Sequence, residues 1–171
     1  NQKIQYIKKI IDFEINLNQT DNAMRWIDDW KKNAPGQIEP YLREAAIYTS
    51  QSKNEESLNV YKKASIKFPE SEDILGLLAN AYASENQLDD AQRIYWKLIA
   101  VSKDLSAKMS VTYNMIHAMM MHSSLDSLKR IFEEKMKQDK NAIYPIMALS
   151  AIYQSEGDYE GRRRYLLKAT E

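Results

Sequence analysis

Residues 38–71 show most clearly how apolar and polar positions alternate along this chain. Tyr41, Ala45 and Tyr48 are spaced by four and three residues, which places them on one face of a helix. A polar stretch around Ser52 follows, and a second apolar set then falls mostly on one side of another helix. This second set comprises Leu58, Tyr61, Ala64 and Ile66. The pattern predicts two helices joined by a short polar turn.

The same pattern returns at a spacing of 34 residues. Pairs separated by this step are Pro35 and Pro69, Ala45 and Ala79, Tyr48 and Tyr82, and Tyr61 and Tyr95. The pattern of residues 88–95 recurs at 125–132, 37 residues along, so three extra residues near 106–108 shift the register. We therefore expect a single array of five helix–turn–helix repeats. Their predicted bounds are 4–37, 38–71, 72–105, 109–142 and 143–171.

Helix ends fall at equivalent places in the predicted repeats. The aligned turn positions are Asn18, Ser52, Asn86, Ser123 and Gly157. Asn and Gly tolerate the left-handed conformation that ends many helices, whereas Ser fits it less well. Pro35 and Pro69 fall where a second helix should stop. Pro40 and Pro145 fall in the first turn of a first helix, where a missing N–H costs nothing.

A 34-residue repeat with small side chains at its eighth and twentieth positions resembles the tetratricopeptide repeat. The resemblance is best in repeats two and three, at Ala45, Tyr48, Ser57, Tyr61, Ala64 and Pro69, and at Leu78, Ala79, Tyr82, Ala91 and Tyr95. Larger residues stand at small positions elsewhere, namely Ile11, Ile116, Leu128 and Arg162, and Gly161 is expected to compensate for the last of these. The resemblance implies an all-α fold, a right-handed α-solenoid of stacked helix–turn–helix repeats whose first helices line a concave groove.

Composition and charge exclude several classes of fold and of binding partner. Four glycines and four prolines in 171 residues are too few to punctuate an all-β domain. Lys and Arg number 24, as do Asp and Glu, and a net charge of zero argues against a nucleic-acid partner. The chain has no run of about 18 apolar residues, so no membrane insertion is expected. Without cysteine, disulfides are excluded, and the compartment, cytoplasm or cell envelope, stays open.

The resemblance also implies which residues face the groove. In repeats one and two these positions include Ile15, Leu42, Ala46 and Ser50, and the early part of the set is polar or small overall. The later part is aromatic or Met-rich, which suits the apolar side chains of a bound peptide. Candidate partner-binding residues are Thr49, Gly76, Asn80, Tyr113, His117, Met120, Met121, Tyr144, Met147 and Gln154. The alternative is that the Met residues pack in the core, as expected for Met115 and Met119.

The sequence offers no set of residues suited to catalysis or metal binding. His117 and His122 are five residues apart and face different sides of a helix, whereas zinc-binding helices use a spacing of three or four. We find no Gly-rich phosphate loop and no Gly-x-Ser-x-Gly motif. We therefore expect no enzymatic activity, no cofactor and no metal.

The last helix has an apolar outer side and a basic run. Its apolar residues are Tyr165, Leu166, Leu167 and Ala169, whereas a terminal repeat normally ends on a polar capping face. More chain in a longer protein, a partner or a second copy would cover this side, and we expect the chain to be a segment of a longer protein. Residues 162–164 are three consecutive arginines, which spread around a helix and are expected to be solvated rather than to form one patch.

Together these features predict a non-enzymatic protein-interaction module. It would bind a peptide or helix of a partner protein in its groove and serve as an adaptor or scaffold in assembling a larger complex. One alternative is a structural scaffold that self-associates through the C-terminal helix. Another is an RNA-binding helical repeat, which the zero net charge opposes.

Overall fold

The computed structural model describes residues 2–121, 125–139 and 142–170, and this part of the chain is built from ten helices without strands. The first helices of the pairs are α1 (Gln2–Asn16), α3 (Glu39–Ser50), α5 (Glu72–Ser84), α7 (Leu105–Met120) and α9 (Ile143–Ser155). The second helices are α2 (Thr20–Asn33), α4 (Asn54–Lys67), α6 (Leu88–Val101), α8 (Asp126–Gln138) and α10 (Tyr159–Lys168). The predicted all-α fold class is confirmed. No helix in the described ranges is long and apolar enough to cross a membrane.

Left-handed residues end the first helix of four pairs at the predicted positions. They are Asn18, Ser52, Asn86 and Gly157, with φ angles of 59°, 59°, 56° and 77°. The residue after each one donates its N–H to a carbonyl five residues earlier, as Lys53 does to Tyr48 at 2.9 Å. This bond belongs to the Schellman motif, which satisfies the last carbonyls of a helix. The fifth predicted position, Ser123, lies outside the described residues.

The four prolines lie at helix boundaries, as predicted. Pro35 and Pro69 each follow the last residue of a second helix by two positions. Pro40 is the second residue of α3, and Pro145 is the third residue of α9. The chain therefore uses its prolines where the missing N–H breaks no helical hydrogen bond.

The described contacts divide the chain into two compact units, residues 1–81 and 82–171. The core of the first unit contains a cluster from α1, α2 and α3. Its members are Ile4, Ile7, Ile11, Ala23, Ile27, Trp30 and Ile47. Because Ile47 comes from α3, the second helix pair completes a core that the first pair begins. Ile11 fits at its predicted small position and is fully buried against a partner helix that carries Ala23.

Aromatic residues join neighbouring helices in the second unit. The ring of Phe132 in α8 lies 5.3 Å from Trp96 in α6 and 5.7 Å from Tyr144 in α9. The rings of Tyr153 and Tyr165 stack at 5.4 Å and tie α9 to α10. These contacts fix α9, which carries the candidate residues Tyr144, Met147 and Gln154, against α8 and α10.

Gly161 provides the small position of the last helix pair, as expected. It is buried in α10, where an added Cβ would lie 2.8 Å from Cγ of Tyr153. Arg162, at the aligned position, is only partly buried. The close approach of α9 and α10 therefore rests on the glycine one residue earlier.

Candidate functional site

A pocket opens between α1 and α3, the first helices of the first two pairs. Its volume is about 430 Å³. The lining residues are Ile15, Leu42, Arg43, Ala46, Ile47 and Ser50. Residues 42, 46 and 50 follow one another at helical spacing, so one side of α3 forms most of the wall. Ile15 closes the pocket from the end of α1, with 38% of its surface exposed. The lining is mainly aliphatic, and we call this site the α1/α3 pocket.

Four charged side chains bridge α1 and α3 next to this pocket. Lys8 of α1 pairs with Glu39 of α3, and Arg43 of α3 pairs with Asp12 of α1. The Nε atom of Arg43 also lies 3.8 Å from Oε1 of Glu39. The two cations and two anions alternate and cancel in charge. The surface therefore favours an apolar ligand group more than a charged one, since each of these ions already has a partner.

Three predicted partner-binding residues belong to the first unit. Thr49 of α3 is exposed, but its hydroxyl donates to the Ala45 carbonyl at 3.0 Å and lies 3.0 Å from the Ser57 hydroxyl oxygen. Thr49 thus fixes α3 against α4. Gly76 is partly buried in α5, and Asn80 is exposed one turn further along the same helix.

Four predicted residues share one exposed side of α7 and the residue that follows it. They are Tyr113, His117, Met120 and Met121, and we call this surface the α7 face. Tyr113 is 48% exposed and Met121 is 66% exposed. Met115 and Met119 are buried, as expected. The Met residues therefore divide between the two alternatives, because part of the set packs in the core and part lies on the surface.

The remaining three predicted residues lie on α9, which packs against α7. The Tyr144 hydroxyl lies 2.8 Å from that of the buried Thr112. Burial raises the pKa of Tyr144 above its usual value, and the hydrogen bond with Thr112 partly opposes this rise. Tyr144 therefore also joins two helices of the fold. Met147 is partly buried and Gln154 is exposed.

The α1/α3 pocket is the feature that sequence reasoning missed. The sequence places Ile15 and Leu42 at groove-facing positions, but the early part of the predicted groove is polar or small overall. The two residues are 27 positions apart in sequence. Their apolar surfaces combine only because α1 and α3 lie side by side, and Arg43 and Ile47 complete the wall. The sequence signal for this pocket is that two of the early groove-facing positions, Ile15 and Leu42, are aliphatic.

Basic side chains cluster on the outer side of α10. Arg163, Arg164 and Lys168 line a pocket of about 360 Å³ together with Glu160 and Leu167. Arg162 does not line this pocket and is partly buried, so the three arginines do not form one patch, although Arg163 and Arg164 share the pocket with Lys168. Residues 160, 163, 164, 167 and 168 follow helical spacing, and this brings Lys168 beside the two arginines.

Metal binding by imidazole, thiolate and carboxylate groups has no support in the described ranges. No group of three His, Cys, Asp or Glu side chains there could hold a metal ion. His117 is exposed on α7, while His122 lies outside the described residues.

Residues 48–104 match the sequence model of the tetratricopeptide repeat. Among solved structures, MamA is similar over 94% of this chain and 92% of its own, with a TM-score of 0.57 and 17% identity. BtubC from P. vanneervenii is 15% identical and has a TM-score of 0.61, and the likeness covers 98% of this chain and 78% of that one.

A third similar structure contains the nearly identical TPR-like repeats of a kinesin light chain from Podosopora anserina. It is 10% identical, covers 98% of this chain and 93% of its own, and has a TM-score of 0.57. No curated protein sequence matches this chain. The fold is therefore that of an all-α helical-repeat protein of the solenoid class. The resemblance to the tetratricopeptide repeat family is confirmed, by sequence within 48–104 and by fold over nearly the whole chain.

Proposed function

We propose that this chain is a non-enzymatic interaction module that holds a peptide segment or helix of a partner protein on its first helices. In this role it would be an adaptor in the assembly of a larger complex. The observation that carries the proposal is the α1/α3 pocket, which is open and lined mainly by aliphatic side chains. The tetratricopeptide-type fold supports the same class of function.

The α1/α3 pocket suits a single apolar anchor of a partner. A few anchors that fill pockets contribute most of the binding energy in protein interfaces. The neighbouring ion pairs of Lys8 and Arg43 are already satisfied, so they would orient a peptide more than they would strengthen its binding. We therefore propose that a Leu-, Ile- or Met-like side chain enters this pocket.

The α7 face is proposed as a second contact surface. It presents Tyr113, Met120 and Met121 to solvent at helical spacing. Aromatic and Met side chains are enriched in interfaces because they bury large areas and adapt in shape. The other candidate residues, Thr49, Gly76, Asn80, His117, Tyr144, Met147 and Gln154, are proposed to contact the partner around these two surfaces.

A display library of random short peptides provides a probe for the α1/α3 pocket. Peptides that bind the 171-residue chain would be selected, and their affinities measured for variants by calorimetry. Leu42→Glu places a charge in the pocket wall, so we expect binding to weaken about tenfold or more, or ~1.4 kcal/mol. Ile66→Glu is the matched control, because Ile66 is 82% exposed on α4 and does not line the pocket. This control should bind as the wild type does.

Tyr113→Glu tests the α7 face with the same peptides. A loss of binding in this variant assigns the peptide to α7, whereas a loss in Leu42→Glu assigns it to the α1/α3 pocket. If both variants keep their helical circular dichroism and bind every selected peptide normally, the proposed binding surfaces are wrong.

A further inference from the structure

Three side chains with soft or borderline donor atoms lie together at the C-terminal end of α7. They are the imidazole of His117 and the thioethers of Met120 and Met121, three and four residues further along. All three residues are exposed, Met120 to 44% and Met121 to 66%. Met121 follows the last residue of α7 but keeps a helical backbone, with φ of −69° and ψ of −21°. The three residues therefore belong to one helical turn, and we call them the His/Met triad.

Helical geometry brings the His/Met triad to one side of α7. A helix advances by about 100° per residue, so Met120 lies about 60° to one side of His117 and Met121 about 40° to the other. Residues three and four apart on a helix have Cβ atoms about 5–6 Å from each other. Because the Met side chain is unbranched and flexible, both sulfur atoms can reach an ion that the imidazole also contacts.

Packing does not account for the two exposed thioethers. Met109, Met115 and Met119 of the same helix are buried, and their side chains fill the core. Met120 and Met121 instead present much of their surface to solvent. The chain has no cysteine, so thioethers are its only sulfur donors. The sulfur atoms of Met120 and Met121 are therefore open to a ligand that arrives from solvent.

Charge selects the kind of ion that would bind there. Residues 111–121 contain no Asp, Glu, Lys or Arg, so this segment has no anionic side chain to balance a divalent cation. Thioether ligands select Cu(I), and imidazole also suits copper, whereas hard ions take oxygen ligands. The C-terminal end of a helix carries a partial negative charge, which favours a cation at this position. Neutral soft donors beside this end therefore suit a soft monovalent ion.

We propose that the His/Met triad binds one Cu(I) ion, with a nitrogen atom of His117 and the sulfur atoms of Met120 and Met121 as its ligands. The ion joins the last turn of α7 to the residue that follows it. This site is separate from the partner-binding role proposed for the α7 face, because it requires no peptide and Tyr113 is not one of the ligands.

Isothermal titration calorimetry with Ag(I), a redox-inert monovalent ion with the same soft ligand preference, tests this site in the 171-residue chain. We expect one Ag(I) ion per chain and at least tenfold weaker binding of Zn(II). Met120→Leu and Met121→Leu each remove a thioether but keep the size and apolar character of the side chain. His117→Asn removes the imidazole. Each of these three variants should weaken Ag(I) binding about tenfold or more.

Met136→Leu is the matched control, because it removes a partly buried thioether from α8 and should bind Ag(I) as the wild type does. In NMR spectra of chain labelled at the Met methyl groups, Ag(I) should shift the signals of Met120 and Met121 and leave those of the buried Met109 and Met115 in place. Circular dichroism checks that the variants fold.

Competition with a chromophoric Cu(I) chelator under anaerobic conditions should rank wild type and variants in the same order as Ag(I) does. The proposal would be overturned by a wild type without saturable Ag(I) binding, or by Zn(II) binding as tight as that of Ag(I). It would also be overturned if the three triad variants bound Ag(I) as the wild type does, or if Met136→Leu lost as much affinity as they did.

Discussion

Ser52 holds a backbone conformation that serine disfavours. Its φ is 59°, in the same left-handed region as Asn18 and Asn86 at the corresponding turns. The repeat register predicts a turn at this residue, although Ser fits the left-handed conformation less well than Asn or Gly. The hydrogen bond from Lys53 to the Tyr48 carbonyl, at 2.9 Å, ends α3 in the same way as in the other pairs. Packing and hydrogen bonding of the whole turn therefore outweigh the preference of one residue.

Replacing Ser52 with glycine should stabilise the chain. Glycine adopts positive φ without the steric cost that a Cβ imposes, so Ser52→Gly should raise the free energy of unfolding by up to about 1 kcal/mol. Urea denaturation followed by circular dichroism measures this change. Ser65→Gly is the control, since Ser65 lies inside α4, and there glycine should destabilise by about 0.5 kcal/mol. Equal effects of the two substitutions would show that the left-handed turn is not the cause.

At the scale of elements, α9 and α10 approach closely because Gly161 lacks a side chain. A Cβ there would lie 2.8 Å from Cγ of Tyr153, whose ring stacks on Tyr165 at 5.4 Å. Arg164 lies over both rings, 5.7 Å and 5.2 Å from their centres. The pair is therefore packed too tightly at this point to admit even a methyl group without movement.

Gly161→Ala should consequently destabilise the chain, although alanine is the better helix former by up to about 1 kcal/mol. We expect a net loss of about 1–3 kcal/mol from overpacking, measured as a lower urea midpoint. Gly36→Ala makes the same substitution in a turn where no atom lies within 4 Å of the added Cβ, and it should be close to neutral. A Gly161→Ala variant as stable as the wild type would contradict the close packing of α9 on α10.

The helices and turns were more predictable from sequence than the surfaces that form where two helices meet. Proline positions, left-handed turns and the helix pairs follow from local spacing, because each depends on residues that are neighbours in the chain. The α1/α3 pocket joins Ile15 to Leu42, which lie on two helices that are not consecutive in the chain. Such sites depend on which sides two helices present to each other, and a single sequence does not specify this.

At the scale of the whole molecule, each compact unit has its own buried residues. Ile27 in the first unit and Ile152 in the second are both 0% exposed. The cluster around Ile27 draws its members from α1, α2 and α3 alone. In helical repeats the free energy of unfolding is approximately a sum of the stabilities of single repeats and the contacts between adjacent repeats. A destabilising substitution should therefore lower stability mainly in its own repeat and the adjacent ones.

Two matched substitutions test this locality. Ile27→Val and Ile152→Val each remove one buried methylene group and should cost about 0.5–1.5 kcal/mol. In native-state hydrogen exchange, Ile27→Val should lower protection mainly within residues 1–81, and Ile152→Val mainly within 82–171. If both variants lowered protection equally along the chain, the two units would unfold as one cooperative body. If each variant loses protection only in the unit that carries its substitution, the two units open separately.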